Sequence, residues 1–239
     1  TALNDNTTAN SNVAIGTESL DVNTTGADNT AVGTNSLGAN TTADGNTAVG
    51  SGALGANTTA VDNTAIGKQA ADATTTGDYT VAVGTNALGA QTTGACNTAS
   101  GHGAARALTT GTKNTAFGYD AGFHLTTGDN NVIIGHNAGT GGGTYNIIGE
   151  DNRIAIGNNN HTNAYIKIDW TVTSDERDKM NFEPVPHGLD FVNQMKPVSF
   201  VFKKSRENAT PHGPEKYGFK AQDILALEKA NGGKNIIID

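Results

Sequence analysis

The sequence predicts a mainly β chain in two parts: a parallel β-solenoid of 17-residue repeats, followed by a small α+β unit. Three observations predict this. A segment of the type Asn-Thr-Ala-Val-Gly recurs with its glycine at positions 16, 33, 50, 67, 84, 101, 118 and 135, always 17 residues apart. The register ends after Gly139, and Pro, Phe, Met and Lys become common beyond Thr173. Hydrophobic residues are 36% of the chain and aromatics 5%, too little bulky volume for a thick core. Only 16% of residues are charged, whereas disordered chains tend to be charged, so ordered repetition is the better explanation.

Each repeat keeps several registers at once. Two residues before the glycine stands alanine, from Ala14 to Ala116, until Ile133. One residue before it stand Ile15, Val32, Val49, Ile66, Val83, Ser100, Phe117 and Ile134. Leu20, Leu37, Leu54 and Leu88 occupy the fourth position after the glycine, and a Thr-Thr pair runs from Thr24-Thr25 to Thr126-Thr127. The unit reads as two short strands with a turn between them, the glycine and the Thr-Thr-Gly stretch serving as bends. One unit buries too little apolar surface alone, so stacking must stabilise it. At a strand spacing of about 4.8 Å, eight units would stand about 40 Å tall. Alternation along the strand suggests Val/Ile inside each turn, with alanine allowing close approach of another chain. Asn12, Asn29, Asn46, Asn63, Asn97, Asn114 and Asn131 would stack as a side-chain amide ladder.

The expected divisions are 1–143 for the repeats, 144–173 for transition strands and 174–239 for the second unit. Asn146–Gly149 and Arg153–Gly157 are shortened echoes of the repeat, and Ala164–Val172 alternates as a strand. Leu189, Val192 and Met195 mark a helical face ended by Pro197. Val198–Phe202 is β-prone, Ser205–Lys216 reads as a polar loop, and Ala221–Ala230 is helical by pattern, with Gly232 as its stop.

Several function classes are disfavoured. The formal net charge of −8 lies wholly in residues 1–150, which hold 11 acidic and 3 basic side chains, so nucleic acid is not an expected partner. Cys96 is the single cysteine and reads as an inert small residue. No 18-residue apolar run and no signal-peptide pattern is visible. His102 and His136 share one column, but they read as variable surface residues rather than metal ligands. Asn23-Thr24-Thr25 matches a glycosylation sequon yet belongs to the repeat. Gly141-Gly142-Gly143 lacks the Lys-Ser/Thr of a phosphate loop, and no cofactor or metal is expected.

Two family resemblances sharpen the expectation. Asn-Thr-Ala-Val-Gly with a following Ala-Leu, over about residues 12–139, resembles the head repeats of trimeric autotransporter adhesins and similar repeats of phage tail fibres. That resemblance implies a left-handed parallel β-roll in a homotrimer, although the repeat alone leaves a single-chain solenoid open. Ser174-Asp175-Glu176-Arg177-Asp178-Lys179, with Trp170 upstream, resembles the start of the S74 peptidase chaperone of tailspikes and tail fibres. Gly218-Phe219-Lys220-Ala221-Gln222-Asp223 resembles the family's second motif. Phe182 stands where the family usually has a smaller aliphatic residue, and the family usually continues beyond the point matching Asp239.

This second resemblance implies a trimeric intramolecular chaperone that releases itself by autoproteolysis. Ser174 would be the nucleophile, Lys179 the base, and Ser174–Asp175 the scissile bond. Spacing alone also allows a charged loop in which Asp175 caps a turn and Arg177 makes a surface ion pair. The function implied is a phage tail-fibre protein of the virion, made in the host cytoplasm, whose partners are its own trimer, other tail proteins and a host cell-surface receptor such as a glycan. No enzymatic action on an external substrate is expected. A bacterial trimeric surface adhesin, and the distal part of a glycan-depolymerising tailspike, are the rival readings.

Overall fold

A computed structural model describes residues 1–141, 146–161, 189–203 and 211–230. The chain forms two compact units, Thr1–His161 and Thr162–Asp239.

The first unit is a β-solenoid. Its strands are β1 (Val13–Ile15), β2 (Thr30–Val32), β3 (Thr47–Val49), β4 (Thr64–Ile66), β5 (Val81–Val83), β6 (Thr98–Ser100), β7 (Thr115–Phe117), β8 (Val132–Ile134) and β9 (Ile154–Ile156). They form one nine-stranded parallel sheet in sequence order. From β1 to β8 each residue pairs with the one 17 positions on, as Ala31 does with Ala48. The irregular echo at 146–157 then supplies β9, where Ile133 pairs with Ala155. Each coil has one strand, not the two expected. The rest is turns, because each coil places three further residues besides its bend glycine in the left-handed region. In the Gly84 coil these are Tyr79, Asn86 and Leu88, at φ of 56°, 55° and 52°.

The interior reverses the expected assignment. Ala31, Ala48, Ala65, Ala82, Ala99 and Ala116 are buried, while the Val/Ile column faces outward. Ile15 is 60% exposed and Ile156 63%. The cause is the narrow cross-section of a 17-residue coil. Ala fits against the leucines and small residues that close in from the turns, and a bulkier β-branched residue in every coil would overfill that space. Ile133 takes the alanine position only where Gly122 and Gly139 make room, its Cγ2 lying 3.1 Å from where a Cβ on Gly139 would be.

Leu20, Leu37, Leu54 and Leu88 fill the centre from a strained backbone, at φ of 47° to 52°. Left-handed backbone costs a residue about 1–2 kcal/mol, and full burial of leucine returns about 1.5–3 kcal/mol. Burial therefore wins, and the Leu37 amide also donates to the Ala53 carbonyl of the next coil at 3.1 Å. Where this position shrinks to Ala105 or Gly122, Leu108 and Leu125 three residues later supply the missing volume, both fully buried.

Asparagine binds coil to coil. The backbone amides of Asn29, Asn46, Asn63, Thr80, Asn114, Asn131 and Arg153 each donate to the Oδ1 of the asparagine one coil earlier, at 2.7–3.0 Å. The same side chains donate from Nδ2 to a turn carbonyl, as Asn114 does to Gly128 at 2.8 Å. The ladder is thus mainly amide to backbone; direct rungs such as Asn131 Nδ2 to Asn114 Oδ1 (3.0 Å) are the minority. A second buried column, Asn23, Asn40 and Asn57, does stack side chain on side chain, with Nδ2–Oδ1 distances of 2.9 and 3.1 Å. Threonine hydroxyls form a third line, from Thr24 Oγ1 donating to the Thr41 carbonyl through Thr109 to that of Thr126.

The polar columns break once. Thr74 and Thr80 stand where asparagine would continue them, and Gln91 reaches across, donating to Thr80 Oγ1 at 3.0 Å and accepting from Asn97 Nδ2 at 3.0 Å. Asn57 Oδ1 and Asn63 Nδ2, beside this break, are the two buried side-chain polar atoms without a partner among the described residues.

The second unit is described in four elements: α1 (Leu189–Gln194), β10 (Val198–Lys203), β11 (Pro211–Gly218) and α2 (Ala221–Ala230). The expected helix and β-prone run correspond to α1 and β10, and α2 has the expected bounds. The polar loop expected over 205–216 is corrected: residues 211–216 belong to β11, which pairs antiparallel with β10 around a bulge between Phe200 and Phe202. Tertiary pairing overrides the local proline signal here, since a two-stranded ladder leaves every strand an edge, where proline is tolerated. The expected strand 164–172 and the helix stop at Gly232 lie outside the described residues.

The asparagine columns predict two shifts in stability. Thr74→Asn should give Asn57 Oδ1 its missing donor and raise unfolding stability by about 1 kcal/mol. Asn114→Ala should lower it by about 2–4 kcal/mol, because the Asn131 amide and Gly128 carbonyl lose their partners. Urea titration of both variants against the parent chain measures the two shifts.

Candidate functional site

The chemistry expected of this chain falls in two places, the cleavage motif and the surface of the solenoid. Ser174, Asp175 and Lys179 lie outside the described residues, as does Trp170. The second motif of the same unit is described. Gly218 ends β11 opposite Val198, under the Phe200 ring, whose Cε1 lies 3.3 Å from where a Cβ on Gly218 would be. A side chain there would press on that ring, which would have to give by a few tenths of an ångström. Phe219 follows, half exposed, and the Lys220 carbonyl accepts from the amides of Asp223 and Ile224 at 3.0 and 3.2 Å. Gly218–Asp223 is therefore the joint by which the hairpin feeds α2, and Asp223 lies in the helix's first turn, where a carboxylate complements the dipole.

Phe191 and Ile224 are buried in this unit. A groove lined by Gln194, Met195, Lys196, Asp223, Ile224, Ala226 and Leu227 runs between the end of α1 and α2. Val192, Val201, Tyr217 and Phe219 stay substantially exposed, Tyr217 by 82%. A unit this small that leaves such side chains uncovered has an apolar surface of the kind that marks association.

On the solenoid, His102, Tyr119 and His136 occupy the residue after the bend glycine in three successive coils. Their rings stack: centroids lie 5.1 Å apart at 9° for His102–Tyr119, and 5.3 Å apart at 18° for Tyr119–His136. Asp120 Oδ1 lies 3.9 Å from His102 Nδ1. Phe123 packs edge-on against His124, and the Arg106 guanidinium lies 5.9 Å from the Phe123 centroid. The sequence puts tyrosine in the same column as His102 and His136, but a column of varied residues does not show that the three rings stack. With tyrosine interposed, the imidazoles cannot share an ion, and no three His, Cys, Asp or Glu side chains converge among the described residues.

Other flagged residues resolve simply. Asn23, the sequon asparagine, is fully buried, and its Nδ2 donates to the Gly26 carbonyl at 2.9 Å, so it is closed to modification. Cys96 is an exposed free thiol in a left-handed turn position. Burial pushes the Asp72 carboxyl up from the usual range, against its backbone and Gln69 hydrogen bonds and the Arg106 charge. Glu150 is held below that range, first by the Ile148 amide, which donates to its Oε2 at 2.7 Å. That carboxylate caps the turn where the regular repeat gives way to the irregular coil.

Against known proteins, residues 174–232 match the model of the Peptidase_S74 family, described as the chaperone of endosialidase. Comparisons with curated proteins and with solved structures return no match. The match opens on Ser174 and spans the Gly218–Asp223 joint. The chain thus carries a Peptidase_S74 chaperone domain after a β-solenoid of 17-residue coils.

Proposed function

We propose that this chain is the distal part of a trimeric host-attachment fibre of the tail-fibre type, and that its chaperone domain directs trimerisation and then cuts itself free after Ser174. The observation that carries the reading is the union, in one chain, of the 17-residue solenoid and a chaperone-family match that begins at Ser174 itself.

The solenoid supports assembly through its outer surface. Ile15, Ile66, Val81, Phe117, Ile134, Ile154 and Ile156 are exposed large apolar residues on one side of a single parallel sheet. Nine strands at about 4.8 Å make this stripe about 38 Å long. Monomeric soluble proteins rarely expose contiguous apolar surface on that scale, so the stripe is the surface we assign to contact between chains. The contact thus uses the Val/Ile column rather than the alanines. Bringing three such chains into one register requires non-local parallel pairing, which is slow. A compact trimeric clamp at one end raises the local concentration of the rest, which is the physical use of a chaperone in this place.

In the cleavage step the Lys179 amine accepts the Ser174 hydroxyl proton as the Oγ bonds to the carbonyl carbon of the Ser174–Asp175 peptide; the C–N bond breaks as that proton passes to the Asp175 nitrogen, and water then hydrolyses the ester. Water is added across that bond overall, leaving a Ser174 carboxylate and an Asp175 amine. Desolvation of Lys179 by trimer contacts would tie cutting to correct assembly.

Mass spectrometry with native sizing tests both halves. The parent chain should appear as a trimer ending at Ser174, whereas Ser174→Ala and Lys179→Met should remain trimeric and uncut. A stable uncut monomer from the parent chain would overturn the proposal. A second expectation concerns the stripe: Ile15→Lys combined with Ile66→Lys should convert trimer to monomer, while the solenoid's own stability moves by no more than about 0.5 kcal/mol per exposed site. Circular dichroism melting beside native sizing separates the two effects.

A further inference from the structure

In a solenoid the residues that build each coil must repeat, while outward positions are free to vary. Departures confined to one place therefore carry information. At the first position after the bend glycine Thr17, Thr34, Ser51, Lys68 and Thr85 precede His102, Tyr119 and His136, so rings occur only in the last three coils. At the fifth, Asp21, Gly38, Gly55, Asp72 and Gly89 precede Arg106 and Phe123. The departures converge in space. The space beside Gly103 is taken by the Asp120 carboxylate: a Cβ there would collide with Asp120 Oδ1 and lie 3.9 Å from Phe123 Cδ2. Asp120 reaches His102 on one side, and Phe123 carries the Arg106 guanidinium on the other. His102, Tyr119, His136, Asp120, Phe123 and Arg106 form one continuous surface.

From this juxtaposition we infer that this surface binds an extended acidic saccharide, lying along the solenoid axis with its ring carboxylates toward Arg106. The inference rests on the host-attachment reading and gives the receptor a chemical class and a place. The ring faces cover one another in the stack, so its exposed rim, with the polar ring tips, and Asp120 supply hydrogen bonds to sugar hydroxyls. The rungs repeat at 5.1 and 5.3 Å, close to the length of one sugar residue in an extended chain, so successive sugars meet successive ring edges. Arg106 supplies the sign. Its guanidinium feels the Asp72 carboxylate only at a distance, makes no ion pair within 4.0 Å among the described residues and lies by the Phe123 ring, leaving its N–H fork for a planar carboxylate. Lys68, Arg106 and Lys113 are the three basic residues of the first 150, so a cationic point on this anionic rod is an exception to its surroundings.

The test is binding of the full chain to polygalacturonate and alginate, with dextran and fully methyl-esterified pectin as neutral probes. The acidic polymers should bind at least about tenfold more tightly than the neutral ones, a free-energy gap of about 1.4 kcal/mol. Arg106→Gln should abolish that preference, and Tyr119→Ala should weaken binding to every polymer that binds. Thr34→Ala, at the same column position in an early coil, should change nothing. Absence of any acid preference, or unchanged binding in both variants, would overturn the inference. So would conversion of the trimer to monomer by Tyr119→Ala, which would make this surface a contact between chains. Native size and cleavage at Ser174, recorded on the same samples, show whether the fibre reading fails with it or stands apart.

Discussion

The structure depends on a buried asparagine amide satisfied coil after coil, with a single break at Thr74 and Thr80. A parallel stack places each asparagine directly over its counterpart, and its Oδ1 takes the backbone amide of the next coil while its Nδ2 holds a turn carbonyl. A buried polar group without a partner costs about 1–3 kcal/mol, so an error in register penalises every rung at once. That penalty fixes the 17-residue period more firmly than the small apolar interior could. Ala against Ala tolerates sliding; an asparagine that loses both partners does not.

The same narrow interior decides what faces out. Once alanine, leucine and asparagine occupy the inside, the β-branched column must go outward, and it forms an apolar stripe along the sheet. Strain is accepted to achieve this, since leucine at positive φ fills the centre of several coils. The fold therefore stabilises itself by a route that leaves surface for others. The association of chains proposed above would then follow from how the coil is packed.

Much of this was legible beforehand, because period is visible in a sequence even when packing is not. The eight glycines gave the coil height and the parallel register, and the asparagine column pointed to a ladder. Inside and outside were not legible. Alternation separates two faces without naming them, and the larger residue is the natural choice for the core until the cross-section of the coil is known. The second buried column was hidden for a different reason: Asn23, Asn40 and Asn57 precede Thr-Thr and read as turn residues or sequons. In the chaperone unit the helices were legible from their apolar spacing, whereas the hairpin partner of β10 was masked by its prolines. The cleavage pair Ser174 and Lys179 rests on family resemblance alone, since a serine and a lysine five residues apart carry no chemistry by spacing. The ring stack was half legible: the column of His102, Tyr119 and His136 is visible in the sequence, their stacking is not.

Residue-resolved amide hydrogen exchange on the intact chain tests the central constraint most directly. The account predicts that the backbone amides of Asn29, Asn46, Asn63, Asn114 and Asn131, which donate to buried side chains rather than along a strand ladder, exchange in the slowest class and together with the strand amides. Fast exchange at these amides, with strand amides still protected, would show that asparagine does not hold the coils in register and would contradict it.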